Sequence, residues 1–586
     1  MPSLAGPFLI ALLVSLAGTL LCERLARRTG LLAHPREDRW HRDSVPMLGG
    51  VGIILAVVAV GAGMGPDLAR FGPLLCLAVA MGVVGLVDDV KTLRPQTKLA
   101  AQIVGAAVLI QLGTLLPLTP FPLVNLFLTL VWVVGITNAF NLLDNMDGLA
   151  AGVAALTALF RLALFLIEGD GNGAWMMAML VGAVGGFLIR NVPPAKIFMG
   201  DAGSLFLGFF LSGVSLVSDN AYTRGVAAVL VFPVLIVLVP ILDTAFVTVT
   251  RLLTGRSVAQ GGRDHTSHRL VALGMTERQA LIVLLGISTM SGLLAVLSYR
   301  HGFRYSIILV ALLVVGLALL AVQLGRAHVV TAQGRRAETR AIRLLANFPY
   351  KRQVVTLAID AVVIVVAYYA AYLLRFEAAF EAERATFLRT VGPLVALQVL
   401  ALFASGTYRG LWRYTGVADL LRLCRGATLG VGGSVLYFVF TTRFESLSRA
   451  VFVLDWALLI LLLAGSRLAY RLLGEWLRPR STASRRALIY GAGDGGALTL
   501  RELRNNIGLG RQAVGFLDDD RDKRGTRIYG VPVLGGLEIA EELLATQGID
   551  EVIVASQKVP PERVQRLEAM CAVHGVLVTR ASLWIE

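Results

Sequence analysis

Four polar side chains interrupt one of the most apolar parts of the chain. In NAFNLLDNMDGLA, residues 138–150, Asn138, Asn141, Asp144 and Asp147 recur at i, i+3, i+6 and i+9. If one helix runs through them, that spacing keeps them near a single face. Carboxylates beside membrane-length apolar segments are costly unless paired, metal-bound or facing water, so the cluster reads as functional. Three further stretches carry related chemistry. Asp88-Asp89 are followed by Lys91, Arg94 and Lys98. That pattern suits a polyanion handled through a hard divalent cation, because Mg²⁺ takes carboxylate oxygens together with substrate phosphates. In KIFMGDAGSLFLG (Lys196–Gly208), Asp201 lies between glycines, in an expected turn that brings backbone close to phosphate. In GRSVAQGGRDHTSHRL (Gly255–Leu270), His265 and His268 share a helical face and can donate hydrogen bonds to phosphate, beside Arg263. A zinc site there has little support, for want of Cys and of a His-Glu-x-x-His pattern. Asp243, inside PVLIVLVPILDTAFV, reads as a structural carboxylate paired with an Arg or a Ser.

Taken singly, each stretch also matches a solvated acidic turn or a capped helix end. Their common sidedness separates the two readings. The chain has 586 residues, 56% of them hydrophobic and 16% charged, with mean hydropathy +0.72, a balance that excludes an ordinary soluble protein. Apolar runs of about 17–25 residues, enough to cross a bilayer, fall near 5–22, 47–64, 71–87, 98–115, 121–137, 149–167, 174–190, 203–218, 225–250, 281–298 and 304–324. The Arg-rich loop after the first run (Arg24, Arg27, Arg28, Arg36, Arg39, Arg42) belongs in the cytoplasm. Counting spans from it puts segments 88–98, 138–148, 191–202 and 251–280 on the cytoplasmic side, and these hold nearly every polar motif. The net charge of +15 is what cytoplasmic membrane loops supply. Nucleic acid is not expected as a partner, since the Arg are dispersed without aromatic interleaving. The four cysteines, Cys22, Cys76, Cys424 and Cys571, form no metal-spaced pair and imply no disulfide. The N-terminal apolar run lacks a basic leader and a cleavage site, so it reads as a retained span.

Residues 326–352 form a basic linker after a first domain of residues 1–325. Four more spans near 353–374, 389–405, 427–441 and 449–470 make a second membrane module, 353–484. The expected fold is therefore a polytopic α-helical membrane protein of about fifteen transmembrane helices, eleven plus four, ending in a cytoplasmic α/β domain over 485–586. In that domain RRALIYGAGDGG is an apolar strand entering Gly491-x-Gly493-x-x-Gly496, followed by a helix and a second strand that ends near Asp518. This is the strand–turn–helix context of a Rossmann-like nucleotide site, with Asp518 placed to meet a ribose hydroxyl.

In the order Asp-Asp, NAFNLLDNMDGLA, MGDAGS and the His-bearing loop, residues 1–325 resemble the polyprenyl-phosphate N-acetylhexosamine-1-phosphate transferases, the superfamily of the phospho-N-acetylmuramoyl-pentapeptide translocase. The resemblance implies transfer of a sugar-1-phosphate from a UDP-sugar to undecaprenyl phosphate with release of UMP, at the cytoplasmic face of a bacterial inner membrane, as the first step of an envelope polysaccharide. It implies a Mg²⁺ cofactor, with Mn²⁺ as the substitute. Asp88 and Asp89 match the acidic pair that handles the lipid phosphate and metal, and Asp201 the metal ligand. His265 and His268 match the outer positions of the His motif. Lys98 matches a phosphate-contacting lysine, and Asp144 and Asp147 match nucleotide-site aspartates with Asn138 and Asn141 beside them; Lys196 and Arg263 complete the substrate-binding set. Two positions depart from the pattern: Asp-Gly-x-Asp-Gly reads Asp144-Asn145-Met146-Asp147-Gly148, and the central His is Ser267. From about 351 the chain resembles the N-terminal part of the membrane-bound nucleotide-sugar dehydratase/epimerase family through LLRFE, YRGLWRY and GAGDGG. That resemblance implies NAD or another nucleotide at Gly491, Gly493, Gly496 and Asp518, in a regulatory, docking or homo-oligomerising role. The competing readings are a nucleotide-sugar modifying enzyme centred on that domain, and a non-catalytic transporter or scaffold.

Overall fold

Apolar runs bounded by Gly and Pro set the helices of the first half. They are α1 (Ala5–Thr29), α2 (Gly49–Gly61), α3 (Leu68–Lys91), α4 (Pro95–Gln111), α5 (Pro122–Leu143), α6 (Leu149–Glu168), α7 (Gly171–Asn191), α8 (Gly200–Val214), α9 (Phe232–Ile236), α10 (Leu238–Leu253), α11 (Thr266–Ala272), α12 (Glu277–His301) and α13 (Phe303–Leu324). A short antiparallel pair, β1 (Leu32–Ala33) and β2 (Val45–Pro46), closes the loop between α1 and α2. The computed structural model describes residues 3–33, 44–63, 68–217, 230–254, 256, 262, 264–325, 351–409, 416–477, 485–505, 509–555 and 559–581. Ten helical stretches among them are long and apolar enough to cross a membrane, so the protein is polytopic. One of the ten, Gln353–Ala404, runs through two consecutive helices, Lys351–Phe376 and Phe380–Ala404. Two expected spans are short apolar helices instead, α2 and α8, and a third, 98–115, is the 17-residue helix α4, which is not one of the ten. The expected span 225–250 is split into α9 and α10 at Val237, with 225–229 outside the described residues. Residues 326–350 of the basic linker 326–352 also lie outside them, and its last two residues open the helix Lys351–Phe376.

Helix α8 explains the packing. Every residue from Ala202 to Val214 is buried, so this helix is apolar all round because protein, not lipid, surrounds it. Close approach of its neighbours depends on small residues, as in membrane bundles generally. A methyl group on Gly85 of α3 would lie 2.2 Å from the Asp201 carbonyl oxygen, and one on Gly182 of α7 would lie 2.1 Å from the Phe8 carbonyl of α1. On α1 the buried residues Ala11, Ser15, Thr19, Cys22 and Ala26 form one small-residue stripe.

Contacts divide the chain into Met1–Leu477 and Arg478–Glu586. Both membrane modules thus belong to one unit, and α13 joins them. Its Leu313, Leu317, Leu320 and Leu324 enter the first apolar cluster, while Val315 and Leu319 enter the second. That second cluster lies among Lys351–Phe376, Phe380–Ala404, Val417–Thr442 and Arg449–Trp476. Inside it Arg467 holds Asp360 through two contacts, 2.9 and 2.7 Å, with both residues buried. Two-point pairing is what makes such buried charges tolerable.

The second unit is the expected α/β domain. Strands β3 (Arg485–Tyr490), β4 (Arg511–Leu517), β5 (Arg527–Ile528), β6 (Val531–Gly535), β7 (Glu551–Val554) and β8 (Leu577–Arg580) form one sheet in the order β5-β6-β4-β3-β7-β8. All pairs are parallel except β5 with β6. Without that short edge strand the order is third, second, first, fourth, fifth, the doubly wound arrangement of Rossmann-like domains. The Gly-rich turn leaves β3 at the centre of the sheet. A methyl group on Gly496 would lie 1.9 Å from the Gly491 carbonyl oxygen, so strand and helix could not pack with any side chain there.

The α3–α8 contact generates a stability prediction. Gly85→Ala should destabilise the detergent-solubilised chain by about 1–3 kcal/mol, read as a lower melting temperature. Gly135→Ala, where an added methyl group meets nothing within 4 Å, should leave it unchanged or raise it. Equal melting temperatures for the two variants would contradict the packing described.

Candidate active site

Three helix ends meet where Asp88, Asp89, Lys98 and Asp201 were expected to act. Lys98, in the first turn of α4, places its ammonium 2.9 Å from Asp88 Oδ2 and 2.8 Å from Asp201 Oδ2. The other oxygen of Asp88 accepts the Leu93 N–H, which folds the α3–α4 turn back on itself. Asp201 Oδ1 accepts from Asn141 Nδ2 at 3.0 Å, and the same amide reaches Ser204 Oγ at 2.9 Å. Asp89 accepts the Asp201 and Ala202 N–H groups at 2.9 and 3.0 Å. It therefore caps α8 from another helix, setting a carboxylate on two of the N–H groups that a helix start leaves unpaired. Gly200, at φ 74°, makes the turn into α8, and a side chain there would strike the Asp89 carboxylate, 2.6 Å away. The expected open Gly-Asp-x-Gly-Ser turn is in fact this first turn of α8. Its second glycine, Gly203, packs against Gly50 of α2.

The stretch 138–150 does not continue as one helix. α5 stops at Leu143, and Asp144 to Gly148 form a turn into α6. Asp144 and Asp147 thus leave the helical face shared by Asn138 and Asn141, because Asn and Asp side chains offer the backbone local alternatives to helix. Asp147 accepts the Ala195 N–H at 2.8 Å, and Asn191 accepts the Gly148 N–H at 2.9 Å. Asn138 exchanges hydrogen bonds with Gln102 of α4, 2.5 and 3.4 Å. The turn walls a cavity of about 250 Å³ whose lining includes Asp89, Asp144, Asn145, Asp147, Asp201, His265 and His268.

The facing wall is α11 and the residues before it. His265 Nδ1 lies 2.7 Å from Asp243 Oδ2, and Asp243 Oδ1 accepts from both the N–H and the hydroxyl of Thr266, 2.7 and 2.6 Å. Asp243 is therefore paired with His265, not with an Arg or a Ser. A carboxylate on Nδ1 fixes the ring and leaves Nε2 as the second ring nitrogen of a cavity-lining side chain. Arg251 grips Asp264 through two contacts of 2.7 and 2.6 Å. Burial alone would raise the Asp264 carboxyl, but that guanidinium holds it below the ordinary carboxylate range.

Among the described residues no three His, Cys, Asp or Glu side chains form a ready metal cage. Asp88 and Asp201 nevertheless each turn one oxygen to a single cationic atom, Lys98 Nζ. That pair of oxygen donors suits Mg²⁺, which needs only one or two carboxylates when substrate phosphates supply the rest. Asp89 fits less well as a ligand, since each of its oxygens already accepts an N–H. Lys196 is exposed and absent from the cavity lining, and Arg263 lies outside the described residues. Gly491, Gly493, Gly496 and Asp518 belong to the separate α/β unit. There Asp518 accepts from the Ala492 N–H at 2.6 Å and the Asp520 N–H at 3.0 Å, with Lys523 Nζ 3.2 Å away. Burial would raise that carboxyl, and these donors bring it below its usual value. Sequence reasoning missed Gln102, Asn191 and the Asp243–His265 pair. A polar residue inside an apolar helix was the available signal for Gln102, whereas Asn191 at the end of α7 and the pairing of Asp243 with His265 have no local signal.

The chain matches the family model described as glycosyl transferase family 4 over residues 71–219 and one described as a CoA-binding domain over residues 404–580. It is 31% identical over 326 residues to a probable undecaprenyl-phosphate N-acetylglucosaminyl 1-phosphate transferase of Bacillus subtilis, an alignment covering 54% of this chain and 90% of that protein. Identity to the decaprenyl-phosphate N-acetylglucosaminephosphotransferase of Mycobacterium tuberculosis is 34% over 299 residues, 44% of this chain and 74% of that one. The probable polysaccharide biosynthesis protein EpsC of Bacillus subtilis is 33% identical over 225 residues, covering 38% of this chain and 37% of its own length. With two transferases matched over most of their length, and the acidic and His motifs gathered around one cavity, the chain belongs to glycosyl transferase family 4, the polyprenyl-phosphate N-acetylhexosamine-1-phosphate transferases.

Proposed function

We propose that this protein transfers N-acetylhexosamine 1-phosphate from a UDP-sugar to undecaprenyl phosphate and releases UMP, at the cytoplasmic face of a bacterial inner membrane that it crosses about fifteen times. The observation that carries this reading is the convergence of Asp88, Lys98, Asn141 and Asp201 beside a cavity walled by Asp144, Asp147, His265 and His268.

A phosphate oxygen of the lipid attacks the β-phosphorus of the UDP-sugar. The bond from that phosphorus to the bridging oxygen breaks, and UMP leaves with the oxygen. Two anions must meet, so the site has to neutralise charge more than to generate a nucleophile. A phosphate monoester is largely ionised near pH 7. Both oxygens of Asp88 already have partners, Leu93 N–H and Lys98. We therefore assign Asp88 to positioning Lys98 rather than to proton abstraction. Lys98 offers positive charge to the phosphates, and Asn141 orients the Asp201 carboxylate. Mg²⁺, held by Asp88 and Asp201, would supply further charge neutralisation at the phosphates when bound. His265, oriented by Asp243, and His268 donate to the phosphate of the departing UMP. Asp144 lies on the wall assigned to the nucleotide, and Asp147 fixes the 192–199 loop through Ala195. The α/β unit, with its Gly-rich turn at the sheet centre, is assigned as an accessory nucleotide-binding or docking domain without oxidoreductase chemistry.

Membranes containing the chain should release UMP from a UDP-N-acetylhexosamine only when undecaprenyl phosphate and Mg²⁺ are both added. Asp201→Asn should cut kcat by about a hundredfold or more, and full activity in that variant would remove the site from consideration. Asp243→Asn, which leaves the cavity lining intact but disturbs His265, should cost about 10–100-fold. An unchanged rate in Asp243→Asn would dissociate His265 from catalysis.

A further inference from the structure

The acidic turn and the His-bearing helix are joined by a side-chain pair outside the Asp88–Lys98–Asp201 network. Ser267 Oγ donates to Asn145 Oδ1 at 2.6 Å, and Asn145 Nδ2 donates to the Leu142 carbonyl at 2.8 Å. The amide is thereby fixed at both ends, to α11 through its oxygen and to the last turn of α5 through its nitrogen. Ser267 is fully buried, whereas Asn145 lines the cavity. These positions are 122 residues apart in sequence, and they are the two at which the sequence departs from the pattern it resembles. On one side of the bond stand Asp144 and Asp147, and on the other His265 and His268, all four lining the same cavity.

We propose that Asn145 and Ser267 act as one coupled positioning pair that sets the spacing between the acidic turn and α11, and so selects which UDP-hexosamine is accepted. The inference rests on reading this cavity as the UDP-sugar site. A hydrogen bond between two walls constrains their separation to a few tenths of an ångström. Hexosamines that differ in the configuration of a single hydroxyl are told apart by whether that hydroxyl meets a fixed partner. Removing either residue leaves the other without its bond, so the two losses should not add.

The test is a double-mutant cycle on the full chain in membranes: wild type, Asn145→Ala, Ser267→Ala and the double variant, each assayed with UDP-N-acetylglucosamine and UDP-N-acetylgalactosamine. Each single variant should change the ratio of kcat/KM between the two sugars about five- to tenfold, the size of one buried hydrogen bond, through KM more than kcat. The double variant should change it no further, and Ser267→Thr, which keeps the hydroxyl, should retain the wild-type ratio. Equal losses on both sugars, or effects that multiply in the double variant, overturn the proposal. Melting temperatures of the same four proteins in detergent decide the bond independently of activity, and additive shifts there also overturn it. A wild type that releases UMP from neither sugar would refute the functional reading, while the melting cycle still decides the pair.

Discussion

The structure depends on how it keeps charged groups at the end of an apolar bundle. Carboxylates and an ammonium beside hydrocarbon are tolerated only if each finds a partner. Lys98 supplies that partner for Asp88 and Asp201 together, and in doing so ties α3, α4 and α8 at one point. Asp89 adds the cap on α8. The arrangement works because α8 is buried throughout and small residues let α3 approach it closely. The same contacts that make the bundle compact thus bring Asp201 to the acidic pair, and packing and site cannot be separated.

The opposite wall follows the same rule with different residues. Asp243 is buried in α10, and its charge is answered by His265 and Thr266 at the start of α11. Arg251, about two turns further along α10, is answered by Asp264. Each pairing crosses from a long helix to the short segment carrying the His residues, so α11 is held by α10 through polar bonds and not only by apolar contact. A rigid wall is what a reaction between two anions requires, since donors must already point at the place where charge develops.

The second membrane module shares α13 with the first, burying one face of that helix in each cluster. A helix apolar on two faces is the simplest way to fuse two bundles without a polar seam. The α/β unit follows its own logic, with β3 central and the Gly-rich turn leaving it beside Asp518.

Much of this was legible in the sequence. Hydropathy alone marked the apolar helices, because backbone groups in lipid must be satisfied internally and long apolar runs have few other structures open to them. The Gly-rich strand–helix signal located the α/β domain for a local reason, that only glycine tolerates the close strand–helix approach at Gly496. The polar motifs named Asp88, Asp89, Asp201 and His265 by residue type. Tertiary structure alone decided their partners. Nothing local to Asp243 says that it meets a histidine 22 residues on, and nothing local to Asn145 points to Ser267. The helix expected through Asp144 and Asp147 ends at Leu143, where Asn and Asp side chains favour a turn, and the Ala195 N–H holds that turn from another loop through Asp147. Periodicity reports which face of a helix is apolar, whereas the end of a helix and the partner of a charge are set by whichever distant group can best satisfy it.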